Sequence, residues 1–135
     1  MHLTSGTSFF IVSKNKSENA IAKIANVCTY GLIKSFVETI KKILKQSARS
    51  VNEIDLVLFS CIDDVEYEEI ITVFQENRMM NYLDYSGTYF TSSAFALHYA
   101  VDVLKYNQEK IKRILICNHL HKNNLGLTLV ESLET

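Results

Sequence analysis

The chain has 135 residues, of which 47% are hydrophobic and 21% are charged, and its formal net charge is -1. This composition excludes a disordered chain, and the near-neutral charge predicts no binding to nucleic acid or to a membrane surface. No apolar run reaches the ~20 residues of a membrane span, and the N-terminus lacks the build of a signal peptide. We therefore expect one cytoplasmic domain over residues 1–135, with its three widely spaced cysteines as free thiols.

Strand and helix patterns alternate along the chain. β-Branched, aromatic or continuous apolar runs predict strands at residues 7–13, 21–27, 56–59, 80–83, 113–118 and 125–132. The second of these is the weaker, because its alanines also allow a helix. Apolar periodicity predicts helices at residues 32–46, 65–76 and 92–106. Asp63 or Asp64 is the predicted N-cap of the second helix. Without this weaker candidate, the alternation favours an α/β fold of order βαβαβαββ, with a mixed, mostly parallel five-stranded sheet and helices on both faces.

The segment 86–104, SGTYFTSSAFALHYAVDVL, is the most unusual part of the sequence. It predicts a helix with almost no polar face. A helix that is apolar on all sides must be covered on all sides. A chain of this length has few other elements for that purpose, so we expect a partner to complete the fold.

Several stretches together resemble the C-terminal half of β-ketoacyl synthases, which are thiolase-like condensing enzymes. GTSFFIVSKNKSENAIAKIANV resembles the start of that half, and DDVEYEEIITVF resembles its D-x-x-E helix. SGTYFTSSAFALHYAVDVL is similar to its glycine–histidine loop and central helix, and RILICNHLHKNNLGLTLVES to its final hairpin. The resemblance implies a single thiolase-like half-repeat, whose central helix faces a counterpart across a two-fold or pseudo-two-fold axis.

The departures from the family pattern fall at its catalytic positions. The nucleophilic cysteine belongs to the N-terminal half, which the resemblance does not include. The two histidines that stabilise the enolate would fall near Ser60 and Tyr89, and a supporting lysine near Asp84. Laid instead on the nucleophile helix of the other half, the sequence has Phe90 in place of the cysteine. The resemblance therefore implies that no catalytic residue is present.

The role that this resemblance implies is accessory. The chain would support acyl-chain elongation in fatty-acid, polyketide or polyene synthesis, as a homodimer or a heterodimer with a ketosynthase-like subunit, and with acyl carrier protein as a further partner. One alternative is a split enzyme, in which a partner supplies the cysteine. Another is a regulatory or binding module for an acyl or aromatic ligand, held by Tyr82, Tyr85, Tyr89, Phe90, Phe95 and His98. An unrelated small α/β domain also remains open.

Other reactive side chains have both a chemical and a structural interpretation. Cys61 follows a predicted strand and is close to two aspartates, but carboxylates raise a thiol pKa, so we favour a small buried residue. His98 and Asp102 are one helical turn apart, and we favour a core histidine that its neighbour satisfies over a catalytic pair.

The C-terminal hairpin also offers zinc-ligand chemistry. Cysteine and histidine side chains are common zinc ligands, and the hairpin contains three of them, Cys117, His119 and His121. A closed zinc site needs a fourth ligand, which the sequence does not provide nearby. We therefore predict no metal and no cofactor.

Overall fold

Helices and strands alternate in the computed structural model, which describes residues 6–8, 10–60, 64–88, 92–121 and 124–133. The strands are β1 (Ala22–Tyr30), β2 (Leu56–Phe59), β3 (Met79–Asn81), β4 (Arg113–His121) and β5 (Asn124–Ser132). The helices are α1 (Phe36–Gln46), α2 (Asp64–Ile71), α3 (Leu83–Ser86) and α4 (Ser92–Tyr106). Short 3-10 turns at Val51–Glu53 and Glu76–Arg78 lead into β2 and β3.

The five strands form one mixed sheet in the order β1-β5-β4-β2-β3. β2 is parallel to both β3 and β4, whereas β5 is antiparallel to both β1 and β4. The prediction of a mixed five-stranded sheet in an α/β fold is confirmed. Two of its four strand pairings are parallel and two are antiparallel.

The predicted strand at residues 7–13 is wrong for the part of that span that the structure describes. Thr7, Ser8 and residues 10–13 lie outside the sheet, and Ile11 is fully exposed. The weaker candidate at 21–27 is the true first strand, extended to Tyr30. β1 has β5 beside it as a hydrogen-bonding neighbour, and strand propensity without such a neighbour does not form a strand.

Two of the three predicted helices, α1 and α2, are shorter than the apolar periodicity predicts, whereas α4 spans the predicted residues 92–106. α1 begins at Phe36 instead of Leu32, because Ser35 caps it by accepting a hydrogen bond from the Glu38 N–H at 3.3 Å. α2 ends at Ile71. Asp64 is its first residue and not its cap, and the alternative cap at Asp63 lies outside the described residues.

The sheet has a helical layer on each face, as predicted. Val57 and Cys117 point towards α1 and α2, on what we call the α1 face. Leu58 and Ile116 alternate with them and pack with α4 on the opposite side, the α4 face. The continuous apolar runs in β2 and β4 are explained by this burial on both faces.

The two layers cover the sheet unequally. Five strands spaced by ~4.8 Å span about 19 Å, whereas one helix covers about 10 Å. α1 and α2 lie on the α1 face, but in the described chain the α4 face has only α4 and the single turn α3. Ile24 and Val27 of β1 pair with Val130 and Thr128 on the α4 face and are 41% and 61% exposed. This face is therefore only partly covered.

A charged cluster joins the two long antiparallel strands to the segment that follows α1. Glu131 is only 8% exposed, and both its carboxylate oxygens accept hydrogen bonds from Arg49, at 2.8 and 3.3 Å. Arg113 Nε lies 3.4 Å from the same carboxylate. Burial alone would raise the pKa of Glu131, but the hydrogen bonds and charge of Arg49, with the charges of Arg113 and Lys23, outweigh it and lower the pKa.

Candidate functional site

Buried polar side chains gather where the parallel strands end. Ser60 follows β2, Tyr82 follows β3, and Asn118 and His119 lie in β4, so the carboxyl ends of three neighbouring strands meet here. In α/β sheets this edge is the usual position of a ligand site. We call these four residues the strand-end cluster.

The members of the strand-end cluster bind one another. The His119 backbone N–H donates to the Ser60 hydroxyl oxygen at 2.7 Å, and the Tyr82 hydroxyl donates to Asn118 Oδ1 at 3.0 Å. Ser60 is 1% exposed and Tyr82 is fully buried. The two hydrogen bonds hold the loops after β2 and β3 against β4, so this polar chemistry fixes the fold at the sheet edge.

The side chains on the α1 side of this edge are poorly suited to nucleophilic chemistry. The His119 ring is 5% exposed and packs 5.4 Å from the ring of Phe36. Cys117 is a buried free thiol, and burial raises its pKa far above the usual range. Its sulfur is therefore protonated at neutral pH, which removes the thiolate that attack or metal binding needs.

The structure describes two of the three positions at which the resemblance places lost catalytic residues, and it places them in different surroundings. Ser60 lies in the strand-end cluster, whereas Asp84 is exposed in α3. Tyr89 lies outside the described residues, as do Phe90 and Cys61. Of the three lost catalytic positions, the two that can be located are thus a buried hydroxyl and a surface carboxylate.

Three of the aromatic side chains near Gly87 form a row along the surface. Tyr99 stacks with Tyr85 at 6.4 Å between ring centroids and with Phe95 at 6.2 Å. Tyr85 is 67% exposed, and Tyr82, which the sequence groups with these residues, is instead buried below. Tyr99 is not among the predicted site residues, although its position four residues after Phe95 on one helix indicates that the two rings are neighbours.

One cleft in the described part of the structure has no wall in common with the aromatic row. That cleft has a volume of about 140 Å³ and lies beyond the end of α2. Its walls are Val51, Asn52, Val73, Phe74, Gln75 and Arg78.

α4 has a narrow polar strip, which corrects the expectation that the helix is apolar on all sides. Its buried residues are four apart, at Ser92, Ala96, Ala100 and Leu104. On the opposite side, His98, Asp102 and Lys105 are exposed. Half-buried apolar side chains flank this strip, at Phe95, Leu97, Tyr99, Val101 and Val103.

The predicted pairing of His98 with Asp102 is present, but its predicted location in the core is wrong. His98 Nε2 lies 3.5 Å from Asp102 Oδ2, and both side chains are 55% exposed. The residues on the buried face of α4 are small or aliphatic, which leaves the polar pair on the outside. The His98 ring also meets the ring of Phe10 edge-on at 6.2 Å.

Among the described residues, no three His, Cys, Asp or Glu side chains come together as metal ligands. Of the three residues considered as zinc ligands, Cys117 and His119 are placed as above, and the side chain of His121 is not described. In the same part of the chain no helix combines the length and apolarity that a bilayer span requires.

Comparisons with known proteins find similarity in structure. No protein-family model matches the chain, and no curated protein matches its sequence. The structural match to human mitochondrial 3-ketoacyl-CoA thiolase covers 83% of this chain and 30% of the thiolase, at 14% identity and a TM-score of 0.64. The match to the PfaC ketosynthase–chain length factor covers 88% of this chain and 14% of that protein, at 18% identity and a TM-score of 0.71.

A third structure is 3-oxoacyl-[acyl-carrier-protein] synthase III from Aquifex aeolicus VF5. It matches 85% of the chain with 46% of its own length, at 14% identity and a TM-score of 0.58. The chain thus spans less than half the length of each of these proteins. At such low identities the similarity shows the fold alone, and it confirms the predicted fold: the chain has the architecture of a thiolase-like, ketosynthase-like half-domain.

Proposed function

We propose that this chain is an accessory, non-catalytic half-domain that acts as a partner subunit of a condensing enzyme in acyl-chain elongation. The observation that carries the proposal is the partly covered α4 face of a half-length fold. Ile24 and Val27 remain exposed there beside a helix whose flanks are apolar. Exposed apolar surface of this kind marks an interaction site.

The side chains at the catalytic positions support a non-catalytic role. A condensing enzyme must stabilise an enolate, which requires hydrogen-bond donors or positive charge aimed at the oxygen. The Ser60 hydroxyl carries no positive charge and its oxygen accepts from the His119 backbone N–H, and Asp84 carries a carboxylate, which accepts hydrogen bonds and repels an enolate. Ser60 therefore cannot replace the imidazole of the family's histidine, and Asp84 cannot replace its lysine.

The matched proteins suggest the reaction that the subunit would assist. One is named a ketosynthase–chain length factor and another an acyl-carrier-protein synthase. Acyl chains bound to a carrier protein are therefore the proposed substrates of the whole assembly, with acyl carrier protein as a further partner. A ligand-binding module has less support, because the aromatic row of Tyr85, Tyr99 and Phe95 lies along the surface, where Tyr85 is 67% exposed.

A reconstituted condensation assay tests the proposal. The chain is co-expressed with a ketosynthase encoded beside its gene and supplied with malonyl- and acyl-loaded carrier protein, and the products are measured by mass spectrometry. We expect no product from the chain alone, and a severalfold change in rate or a change in acyl length when it joins the ketosynthase. Unchanged products at every ratio would contradict the proposal. A ketosynthase that is inactive alone and active with the chain would instead show a split enzyme.

Two variants make the assay specific to the α4 face. Val101→Arg places a charge beside the polar strip of α4, where Val101 is half-buried, and should remove the effect on the products. Lys41→Glu changes an exposed residue of α1 on the other side of the sheet and should preserve the effect. Equal behaviour of the two variants would argue against α4 as the contact.

A further inference from the structure

We infer that the cleft beyond the end of α2 binds a short-chain aliphatic carboxylate, with Arg78 holding the carboxylate group. Asn52 lies in the turn before β2 and Arg78 ends the turn before β3, so the cleft is at the amino ends of two parallel strands. The strand-end cluster is at the opposite edge of the sheet. The apolar walls of the cleft pack with the core of the α1 face. The inference therefore goes beyond the proposed function, which concerns the α4 face.

Arg78 gives the cleft a positive charge that no described carboxylate balances. Its side chain is half-buried, and in the part of the chain that the structure describes it forms no ion pair. The acidic residues of the two neighbouring turns bind elsewhere. Glu53 lies 3.5 Å from Arg49. Glu76 accepts a hydrogen bond from the Tyr67 hydroxyl at 2.7 Å. A guanidinium that is partly withdrawn from water is stabilised by an anion, so a carboxylate from outside the chain fits this position.

Two amide side chains add hydrogen-bond donors beside this charge. The Arg78 backbone N–H donates to the Gln75 carbonyl oxygen at 2.9 Å, and this turn brings both side chains to the cleft. Asn52 contributes the second amide from the turn before β2. A guanidinium binds both oxygens of a carboxylate through parallel N–H bonds, and amide NH₂ groups can donate to the same oxygens.

The other walls and the volume of the cleft define the rest of the ligand. Val51, Val73 and Phe74 give an apolar lining, which suits an aliphatic chain. The volume is about 140 Å³. A cavity of about 150 Å³ accommodates a molecule of the size of benzene, whereas sites for drug-sized ligands start at about 300 Å³. An acid of about four carbons therefore fits, and a nucleotide or an acyl-coenzyme A does not.

Titration of the ¹⁵N-labelled full chain with butyrate, followed by NMR, tests the inference. Amide shifts should concentrate at residues 51–53 and 73–78, with a dissociation constant of about 1 mM. Arg78→Gln should weaken binding at least tenfold. Arg78→Lys should have an intermediate effect, because an ammonium keeps the charge and loses the planar fork. Lys41→Gln on α1 removes one positive charge elsewhere and is the matched control, which should bind as the wild type does.

Two comparison ligands separate the contributions of charge and apolar contact. Butyramide has the shape of butyrate without its charge, and inorganic phosphate has charge without an aliphatic chain. Butyramide binding as tightly as butyrate would overturn the role of Arg78, and phosphate binding as tightly would overturn the aliphatic class of the ligand. Absent shifts, or shifts centred on the lysines of α1, would overturn the site itself. The wild-type titrations decide these points even if Arg78→Gln fails to fold, and none of their outcomes alters the condensation assay that tests the proposed function.

Discussion

Glu131→Gln should destabilise the fold through the charged cluster at the ends of β4 and β5. The substitution keeps the shape of the side chain and removes its charge. Arg49 then loses an ionic acceptor at 2.8 and 3.3 Å, and Arg113 loses one at 3.4 Å. At 8% exposure for Glu131, water cannot fully replace the lost contacts.

The expected loss follows from the exposure of the three partners. Removing one member of a fully buried ion pair costs about 3–5 kcal/mol. Both arginine side chains are 28% exposed, so hydration recovers part of that cost, and we expect a loss of about 2 kcal/mol. Glu53→Gln is the matched control. Glu53 contacts the same Arg49 at 3.5 Å but is 42% exposed, and its loss should stay below about 0.5 kcal/mol.

The effect should depend on pH in a defined direction. Burial alone would raise the pKa of Glu131, but Arg49, Arg113 and Lys23 lower it below the ordinary value of 4.5. A carboxyl group whose pKa is lower in the folded state stabilises that state fully above its unfolded pKa. This contribution is lost as the pH falls below 4.5 and through the folded-state pKa. The difference between wild type and Glu131→Gln should therefore be largest near neutral pH and shrink in acid.

Urea unfolding followed by circular dichroism measures these differences. The free energy of unfolding is compared for wild type, Glu131→Gln and Glu53→Gln at neutral pH and at a series of acidic pH values. The comparison requires that the free energy of unfolding has the same dependence on urea concentration in all three proteins. Equal losses for the two variants at neutral pH would refute the reasoning. So would a difference between wild type and Glu131→Gln that persists unchanged in acid.

Three other predictions concern single contacts. Tyr82→Phe leaves Asn118 Oδ1 without its donor and should cost about 1 kcal/mol in urea unfolding, whereas no measurable loss would mean that this hydrogen bond does not tie the loop to β4. Ser35→Ala removes the cap on the Glu38 N–H and should cost about 1 kcal/mol, with Ser35→Asp retaining most of the stability. Burial raises the pKa of Cys117, so in a variant with serine at the other two cysteines a thiol reagent should label it only on unfolding, and fast labelling of the native state would contradict its placement.

Patterns that repeat within a few residues predicted much of the fold. The apolar stripe of α1, the continuous apolar runs of β2 and β4, and the final hairpin all follow from local periodicity and burial on both faces. The strand at residues 7–13 failed because its composition is local while strand pairing is not. β1 had the weaker composition and formed a strand because β5 lies beside it.

The candidate site was predicted less well, for two physical reasons. The resemblance could align Ser60 and Asp84 with family positions, but only the chain path shows that one is buried and the other exposed. The polar strip of α4 was missed because its members are three and four residues apart and join only on one helix face. Tyr99 was missed for the same reason, although it is the centre of the aromatic row.

The acyl length of the condensation products tests the central claim most directly. It is measured for a ketosynthase alone, with the wild-type chain, and with Val101→Arg at equal concentration. The account predicts that the wild-type chain changes the product length or rate, and that a charge beside the α4 strip removes this change. Products that are the same in all three reactions would contradict the claim that this half-domain is an accessory subunit acting through its α4 face.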